Sequence, residues 1–224
     1  MSNGQYKKHG YDGLLVVIEG TDGAGKSTQV NMLNSYVQQQ CYGSVVSEWK
    51  TSRLIADLIN EAKEKNLLNT TTFSLLYAAD YADRLENVII PALKAGFVVL
   101  LDRYIYTAFV RDSVRGHDID WVKKLYEFAP EPDLVFYLKM EPQILIKRLI
   151  SSGGLDYFES GRDIGLSTDI YKSFEIYQKR CLDEYEKLKG QYGFIEIDGN
   201  KPKDEIHGII KTEVKKLFDL NLVK

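Results

Sequence analysis

The chain contains 224 residues, of which 44% are hydrophobic and 27% are charged, and its formal net charge is −3. This composition is that of an ordinary globular protein, and the length favours a single domain. The small negative charge argues against broad non-specific binding of nucleic acid, which requires a basic surface.

Cysteine residues are few and widely separated. Cys41 and Cys181 form neither a disulfide framework nor a zinc motif, and they suit a reducing compartment, so we expect a cytoplasmic protein. No apolar run is long enough to span a membrane, and residues 1–13 lack the apolar stretch of a signal peptide. We therefore expect neither nucleic acid nor a membrane as a partner, and we expect residues 1–13 to form a flexible polar tail.

From residue 14 onward, short apolar runs alternate with longer segments of helical periodicity. The predicted strands are 14–19, 44–48, 97–102, 133–138 and 193–197, and the predicted helices are 26–40, 52–65, 71–95, 119–129, 141–151, 166–189 and 202–220. This alternation predicts a three-layer α/β fold, with a five-stranded parallel sheet that carries helices on both faces. Residues 14–224 are expected to form one domain, with ligands bound beyond the carboxyl ends of the strands.

A glycine-rich loop connects the first predicted strand to the first predicted helix. Gly20, Gly25, Lys26 and Ser27 fit the pattern G-x-x-x-x-G-K-[ST], whose backbone N–H groups bind phosphate oxygens. The lysine reaches the β- and γ-phosphates, and the serine hydroxyl is a ligand for Mg²⁺. The motif therefore indicates a nucleoside triphosphate. The residues predicted to bind it are Gly20, Thr21, Asp22, Gly23, Ala24, Gly25, Lys26, Ser27 and Thr28.

Asp22 places a carboxylate in the middle of this anion-binding loop. Aspartate is a good turn residue, which would be a sufficient reason for its presence. The alternative is that Asp22 faces a second ligand that offers hydroxyl groups.

The third predicted strand ends in Asp102, Arg103 and Tyr104. At that position Asp102 would share the crevice of the phosphate loop and hold Mg²⁺ through a water, while Arg103 would offer a planar fork to a second phosphate. The simpler alternative is that Asp102 caps the next helix and Arg103 lies on the surface. A forked arginine beside a phosphate loop fits a phosphoryl acceptor better than a hydrolytic water.

Four segments together resemble the thymidylate kinase family of nucleoside monophosphate kinases: VIEGTDGAGKSTQ, LLYAADYADRLENVIIPAL, LLDRYIYTAF and PEPDLVFYL. The resemblance implies a P-loop kinase fold with a lid loop, a homodimer, and phosphoryl transfer from ATP with Mg²⁺ to dTMP. A kinase for dCMP or dUMP is an alternative, and so is a nucleotide-binding module of low activity.

The resemblance also assigns roles on the acceptor side. It implies that Asp22 contacts the sugar 3′-hydroxyl, that Arg103 holds the acceptor phosphate, and that Tyr77 stacks on the pyrimidine. Taken alone, Tyr77 would be interpreted more simply as a core residue of a helix. Leu75, Leu76, Ala79, Leu85 and Val88 give the same helix an apolar face that fits either a dimer interface or ordinary core packing.

Residues 151–167 correspond to the lid of that family, although a loop of this composition also occurs as a disordered surface segment. Gly23 stands where some members carry an arginine, so the resemblance assigns the catalytic lid arginine to Arg162. It places Arg148 against adenine and Phe158 near the sugar, with Glu159 completing an aromatic–acid pair. The predicted catalytic residues are Lys26, Asp102, Arg103 and Arg162.

The sequence departs from the family pattern where the base is read. Tyr81 stands where an arginine usually donates to thymine O4, and Arg84 lies nearby at a different spacing. Arg111 and Asp112 stand where an aromatic and a neutral polar residue are common. They could serve thymine O4 and N3–H, or Asp112 could accept from the amino group of cytosine. The predicted acceptor-side residues are Asp22, Trp49, Arg53, Tyr77, Tyr81, Arg84, Arg103, Arg111, Asp112 and Phe158, and Lys50 is a weaker candidate.

Overall fold

The computed structural model describes residues 9–151 and 155–220, and it describes side chains for all of these except residues 149–151. Residues 1–8 of the predicted tail and residues 152–154 of the predicted lid lie outside the described residues.

Five parallel strands form a single sheet in the order β2-β3-β1-β4-β5. The strands are β1 (Leu14–Gly20), β2 (Ser44–Glu48), β3 (Val98–Asp102), β4 (Leu134–Lys139) and β5 (Ile195–Asp198). Short runs of valine, isoleucine, leucine and aromatic residues form these strands because both faces of the sheet are buried. The predicted fold class, a five-stranded parallel α/β sheet, is confirmed.

Helices cover both faces of this sheet. The described helices are α1 (Lys26–Gln39), α2 (Ala56–Glu64), α3 (Thr70–Arg84), α4 (Ile90–Lys94), α5 (Ile105–Val114), α6 (Ile119–Leu125), α7 (Pro142–Ser151), α8 (Ile170–Tyr192) and α9 (Lys203–Asp219). Strand alternation divides the core in two, because Leu15 and Val17 of β1 face the cluster that includes α3, α5 and α8, whereas Val16 and Ile18 face the cluster under α1 and α9. No helix in the described part of the chain is long and apolar enough to cross a membrane.

The segment predicted as one helix over 71–95 is interrupted by a π turn, Leu85–Ile89, between α3 and α4. Pro91 lacks an N–H group and cannot continue the regular bonding of an α-helix. The chain shifts to a wider turn before it, in which the N–H of Ile90 donates to the carbonyl of Leu85.

Helix α5 was not among the predicted helices. Its sequence, IYTAFVRDSV, is rich in β-branched and aromatic residues that locally favour a strand. It is helical because Tyr106, Phe109 and Val110 are spaced to bury one face against the core. This helix carries Arg111 and Asp112, so its absence from the prediction left their placement open.

Candidate active site

The phosphate loop lies between β1 and α1, at the carboxyl edge of the sheet. Gly25 adopts a left-handed conformation, with φ of 90° and ψ of 18°, immediately before the helix. At Gly20 a Cβ atom would lie 2.7 Å from the carbonyl oxygen of Leu138, so this position requires glycine. Because Gly25 has no side chain to cap α1, the first N–H groups of the helix remain available for an anion.

Lys26 lies over the loop that it would serve, and its Nζ donates to the carbonyl oxygen of Thr21 at 2.7 Å. The side chain is buried, and burial together with the nearby positive charge of Arg103 lowers the pKa of Lys26 to about 8. A phosphate group beside the ammonium would reverse this shift. Lys26 is therefore poised to gain both a partner and a proton when a triphosphate binds.

Ser27 and Asp102 meet at the base of the loop. Asp102 ends β3 in register with Ile18 of β1, and the Ser27 hydroxyl donates to its Oδ2 at 2.5 Å. A hydroxyl oxygen and a carboxylate oxygen at this distance are hard donors of the kind that Mg²⁺ prefers. These two residues fit a magnesium site next to the phosphate loop.

Asp22 is held between two arginines. The Nη2 atom of Arg103 donates to Asp22 Oδ1, and the Nη2 atom of Arg111 donates to Asp22 Oδ2. Burial opposes ionisation, but Arg103, Arg111 and Lys26 outweigh it and hold the pKa of Asp22 well below its usual range. The carboxylate is tolerated in an anion-binding loop because these cations balance its charge.

Arg103 is directed into the site by its backbone and by a buried glutamate. It has a φ of +73°, which is uncommon outside glycine and is a feature of functional sites. Glu19 of β1 accepts hydrogen bonds from the N–H of Tyr104 at 2.8 Å and from the hydroxyl groups of Thr107 at 2.7 Å and Tyr185 at 2.8 Å. Burial raises the pKa of Glu19, and these donors oppose that effect. The glutamate thereby fixes the turn that carries Arg103.

A cavity of about 270 Å³ extends from the phosphate loop to an aromatic wall. The Tyr77 ring lies 4.4 Å from the Phe73 ring in a stacked arrangement and 5.3 Å from the Trp49 ring, measured between centroids. A flat, apolar wall of this kind suits a planar base. Tyr77 is thus both a core residue and a wall of the cavity.

Asp112 also lines the cavity and is 3% exposed. Its Oδ2 atom has no hydrogen-bond partner among the described residues, and burial raises the pKa of its carboxyl group. A buried acceptor without a partner is costly unless a ligand supplies one. Asp112 is therefore available to a donor on a bound molecule.

Several predicted site residues do not line the cavity in the described structure. Tyr81 is buried behind Trp49, with ring centroids 6.3 Å apart, and Phe158 packs against Phe73 at 5.3 Å. Arg53 is exposed on the turn before α2. These placements follow from packing, since Tyr81 and Phe158 fill the core beneath the aromatic wall.

Arg84 is a buried support and does not contact the cavity. Its Nε donates to Asp80 at 2.9 Å and its Nη1 donates to Ser47 at 2.9 Å. Asp80 in turn accepts from the backbone N–H of Lys50 at 3.1 Å. Lys50, with a φ of +63°, lines the cavity, so the Arg84–Asp80 pair acts through the turn that holds this cation.

Arg162, predicted as the catalytic lid arginine, and Arg148, predicted to lie against adenine, are not among the residues that line this cavity. Arg162 Nη1 donates to the carbonyl oxygen of Thr168 within its own loop at 3.0 Å, and Arg148 Nη2 contacts the carbonyl oxygen of Gly199 at 3.5 Å. The contact of Arg162 within its own loop leaves this residue outside the cavity described above. Its catalytic role stays a prediction.

The cavity also contains residues that the sequence reasoning missed. Phe73 lies one helical turn before Tyr77 and was detectable from that spacing. Lys63 of α2 lines the cavity and forms an ion pair with Asp156 of the lid at 3.4 Å. No local sequence pattern indicates Lys63, because its place depends on the packing of α2 against a segment far along the chain.

The phosphate loop and Arg103 border the same cavity, and Arg103 contacts the loop at Gly20 and Asp22. A phosphate donor on the loop and an acceptor phosphate on Arg103 would therefore be neighbours. This arrangement defines a class of protein, the P-loop nucleotide kinases. Sequence comparison identifies the family within that class. A family model described as thymidylate kinase matches residues 18–210, and the chain belongs to the thymidylate kinase family.

Individual relatives agree over nearly the whole length. The chain is 41% identical to a probable thymidylate kinase 2 of Saccharolobus solfataricus over 212 residues, which is 94% of this chain and 99% of the relative. It is 32% identical to a probable thymidylate kinase of Thermococcus gammatolerans, covering 90% of this chain and 98% of the relative. A thymidylate kinase of Thermosipho africanus is 31% identical, with 91% and 98% covered.

Proposed function

We propose that this protein transfers the γ-phosphoryl group of ATP to dTMP. The main support for the proposal is the contact between Asp22 of the phosphate loop and Arg103. Both residues line a cavity that extends to Tyr77. A donor phosphate on the loop and an acceptor phosphate on Arg103 would then be neighbours. The family relationship supports the same reaction.

On the donor side, the loop backbone and the start of α1 would hold the phosphates of ATP while Lys26 follows the β- and γ-phosphates. Ser27 and Asp102 would hold Mg²⁺, which supplies charge neutralisation on the triphosphate when bound. Their 2.5 Å hydrogen bond keeps the two side chains adjacent at the base of the loop. The described residues thus form a complete phosphate cradle.

On the acceptor side, Arg103 would orient the monophosphate for in-line attack. Phosphate oxygen is already nucleophilic, so the reaction needs positioning and charge stabilisation more than a strong base. Lys26 and Arg103 lie on either side of the reacting groups and stabilise the charge that spreads over the transferring phosphoryl group. A lid over residues 151–167 would exclude water, which would otherwise hydrolyse ATP.

Base selection is assigned to Tyr77 and Asp112. The aromatic wall suits any pyrimidine, so discrimination would depend on the Oδ2 atom of Asp112, which has no hydrogen-bond partner among the described residues. An ionised Asp112 accepts from thymine N3–H, whereas cytosine presents an acceptor at N3 and a donor at its amino group. A kinase for dCMP or dUMP is the alternative in the same fold.

A coupled assay of ADP release with dTMP, dUMP and dCMP as acceptors tests the proposal. We expect the highest kcat/KM with dTMP and little ADP without an acceptor. Asp112→Asn should lower the ratio of kcat/KM for dTMP over dCMP about tenfold, because one buried polar group loses its match. Preference of the wild type for dCMP would overturn the assignment of dTMP. An unchanged ratio in Asp112→Asn would remove Asp112 from the base site.

A homodimer and a cytoplasmic location belong to the same proposal. The exposed apolar face of α3 supports the dimer, and the two free cysteines, Cys41 and Cys181, support a reducing compartment.

A further inference from the structure

We propose that Arg111 is a second arginine for the acceptor phosphate, which Asp22 holds in place until the nucleotide binds. The proposal rests on the proposed function in one respect, namely that the acceptor is a nucleoside monophosphate. It assigns Arg111 to the phosphate and not to the O4 atom of the base.

The contact of Arg111 determines which end of the cavity it serves. Its guanidinium donates to Asp22 in the phosphate loop, beside Arg103. Arg111 and Asp112 are consecutive on α5, and consecutive helical side chains diverge by about 100°. Because Arg111 turns to the phosphate loop, Asp112 is left to face the aromatic wall by itself.

Both arginines bind the carboxylate of Asp22. Arg103 takes one oxygen of Asp22 and Arg111 takes the other. A phosphate group presents pairs of oxygens at a spacing similar to that of a carboxylate, and a guanidinium fork fits both. Asp22 therefore holds the pair in the geometry that a phosphate needs.

Charge balance indicates that the pair is meant for an anion. The side chains of Arg103 and Arg111 are only 14% and 15% exposed, and a single carboxylate lies between them. Two nearby guanidinium groups repel each other unless an anion separates them, and one carboxylate leaves a net positive charge. A bound monophosphate would supply the further negative charge between the two guanidinium groups, and Asp22 would then turn to the sugar hydroxyl.

Arg111 has no comparable partner on the aromatic side. The lid residue Glu159 lines the same cavity, and the charge of Asp22, followed by burial, raises the pKa of Glu159. Among the described residues, however, no hydrogen bond or ion pair joins Glu159 to Arg111, whose side-chain partner is Asp22. The free donors of Arg111 are thus left to a ligand in the cavity.

The experiment compares two ligands that differ only in the phosphate. Calorimetric titration without ATP gives the Kd of dTMP and of thymidine for wild type, Arg111→Gln and Arg111→Lys. We expect Arg111→Gln to weaken dTMP binding about 10- to 100-fold and to change thymidine binding less than about threefold, as for a lost charge-assisted hydrogen bond. Arg111→Lys should fall between, because it keeps the charge and loses the fork. Arg180→Gln on the exposed face of α8 is the matched control and should bind both ligands as the wild type does.

The ratio of the two effects distinguishes the proposal from its rivals. Equal weakening of dTMP and thymidine would place Arg111 at the base or the sugar and overturn the proposal. Unchanged dTMP binding in both Arg111 variants, with thermal unfolding curves like that of the wild type, would overturn it as well. If the wild type bound no dTMP, the proposed function itself would fail. If Arg111→Gln does not fold, the titrations of Arg111→Lys with dTMP and thymidine test the proposal.

A second measurement tests the holding role of Asp22 with inorganic phosphate as the probe. Asp22 competes with phosphate for the two arginines, so Asp22→Asn should bind inorganic phosphate more tightly than the wild type. Adding Arg111→Gln to Asp22→Asn should remove that gain. A gain that persists in the double variant would contradict the assignment of Arg111.

Discussion

The position of Asp22 in the fold can be predicted from the sequence, but only some of its contacts can. The loop pattern and the strand end place Asp22 and Arg103 at the same edge of the sheet, because β1 and β3 are neighbours in register. That much follows from the alternation of strands and helices. The contact with Arg111 does not, because it depends on a helix whose residues locally favour a strand.

The role of Lys26 can be tested by measuring how many protons the protein takes up when ATP binds. Its pKa of about 8 means that, at pH 8.5, the side chain of the free protein is mostly neutral. Phosphate favours the charged form and raises the pKa, so ATP binding should be accompanied by uptake of more than about half a proton. The uptake is measured from the dependence of the binding enthalpy on the ionisation enthalpy of the buffer.

The matched variant for this measurement is Lys26→Arg, which carries a permanent charge. A lysine that is neutral in the free protein and charged in the complex must take up a proton on binding. ATP affinity must therefore fall as the pH rises above about 8. Lys26→Arg should lose the uptake even if it binds ATP more weakly. An uptake equal to that of the wild type would assign the proton to another group.

Among the elements, Arg115, which directly follows α5, connects the segment predicted as the lid to α3 and α8. Its guanidinium donates to Asp163 at 2.7 Å, to the hydroxyl group of Tyr177 at 2.7 Å and to the carbonyl oxygen of Phe158 at 2.9 Å. It also lies 4.7 Å from the centre of the Phe73 ring. The family resemblance implies a lid over residues 151–167, but nothing in the sequence indicates this anchor, whose partners come from three distant segments.

Arg115→Met should therefore destabilise the protein and loosen the lid. The side chain is 1% exposed, and its removal leaves the buried carboxylate of Asp163 without its cation. Loss of one partner of a buried ion pair costs about 3–5 kcal/mol. The free energy of unfolding from denaturant titration should fall by that amount, and hydrogen exchange of residues 155–165 should become faster.

Arg162→Met is the internal comparison for this prediction. Arg162 lies next to Asp163 in the sequence, but its guanidinium bonds only a carbonyl within its own loop at 3.0 Å. Its replacement should change the free energy of unfolding by less than about 0.5 kcal/mol. Equal destabilisation by the two substitutions would show that Arg115 is no special anchor.

On the scale of the whole molecule, the sheet was predictable and the turns around it were not. Buried strands are recognisable in the sequence as short apolar runs, and the right-handed βαβ connection restricts how they can be linked. The π turn before Pro91 and the turn at Lys50, which the buried Asp80 supports, depend on tertiary contacts. The turn at Lys50 also lines the cavity, so the position of the site is more predictable than its specificity.

The face proposed for the homodimer lies on α3 and the π turn that follows it. Leu75 and Val88 are 48% and 39% exposed, Leu76 and Ala79 are half-buried beside them, and Leu85 belongs to the core. Leu85 therefore belongs to the core and Leu76 packs against it, whereas Leu75, Ala79 and Val88 lie toward the surface. An apolar stripe on a helix that also carries Tyr77 would couple a dimer interface to the aromatic wall of the cavity.

If this face forms the homodimer, Leu75→Glu should break it. A buried carboxylate at the centre of an interface has no partner, and the dissociation constant should rise by at least about 100-fold. The monomer itself should be stable, because surface substitutions change the free energy of unfolding by less than about 0.5 kcal/mol. Sedimentation velocity over a range of protein concentrations gives the oligomeric state, and Ile209→Glu on α9, which covers the other face of the sheet, is the control. A dimer that persists in Leu75→Glu but dissociates in Ile209→Glu would move the interface to α9, and a wild type that sediments as a monomer at all concentrations would contradict the dimer.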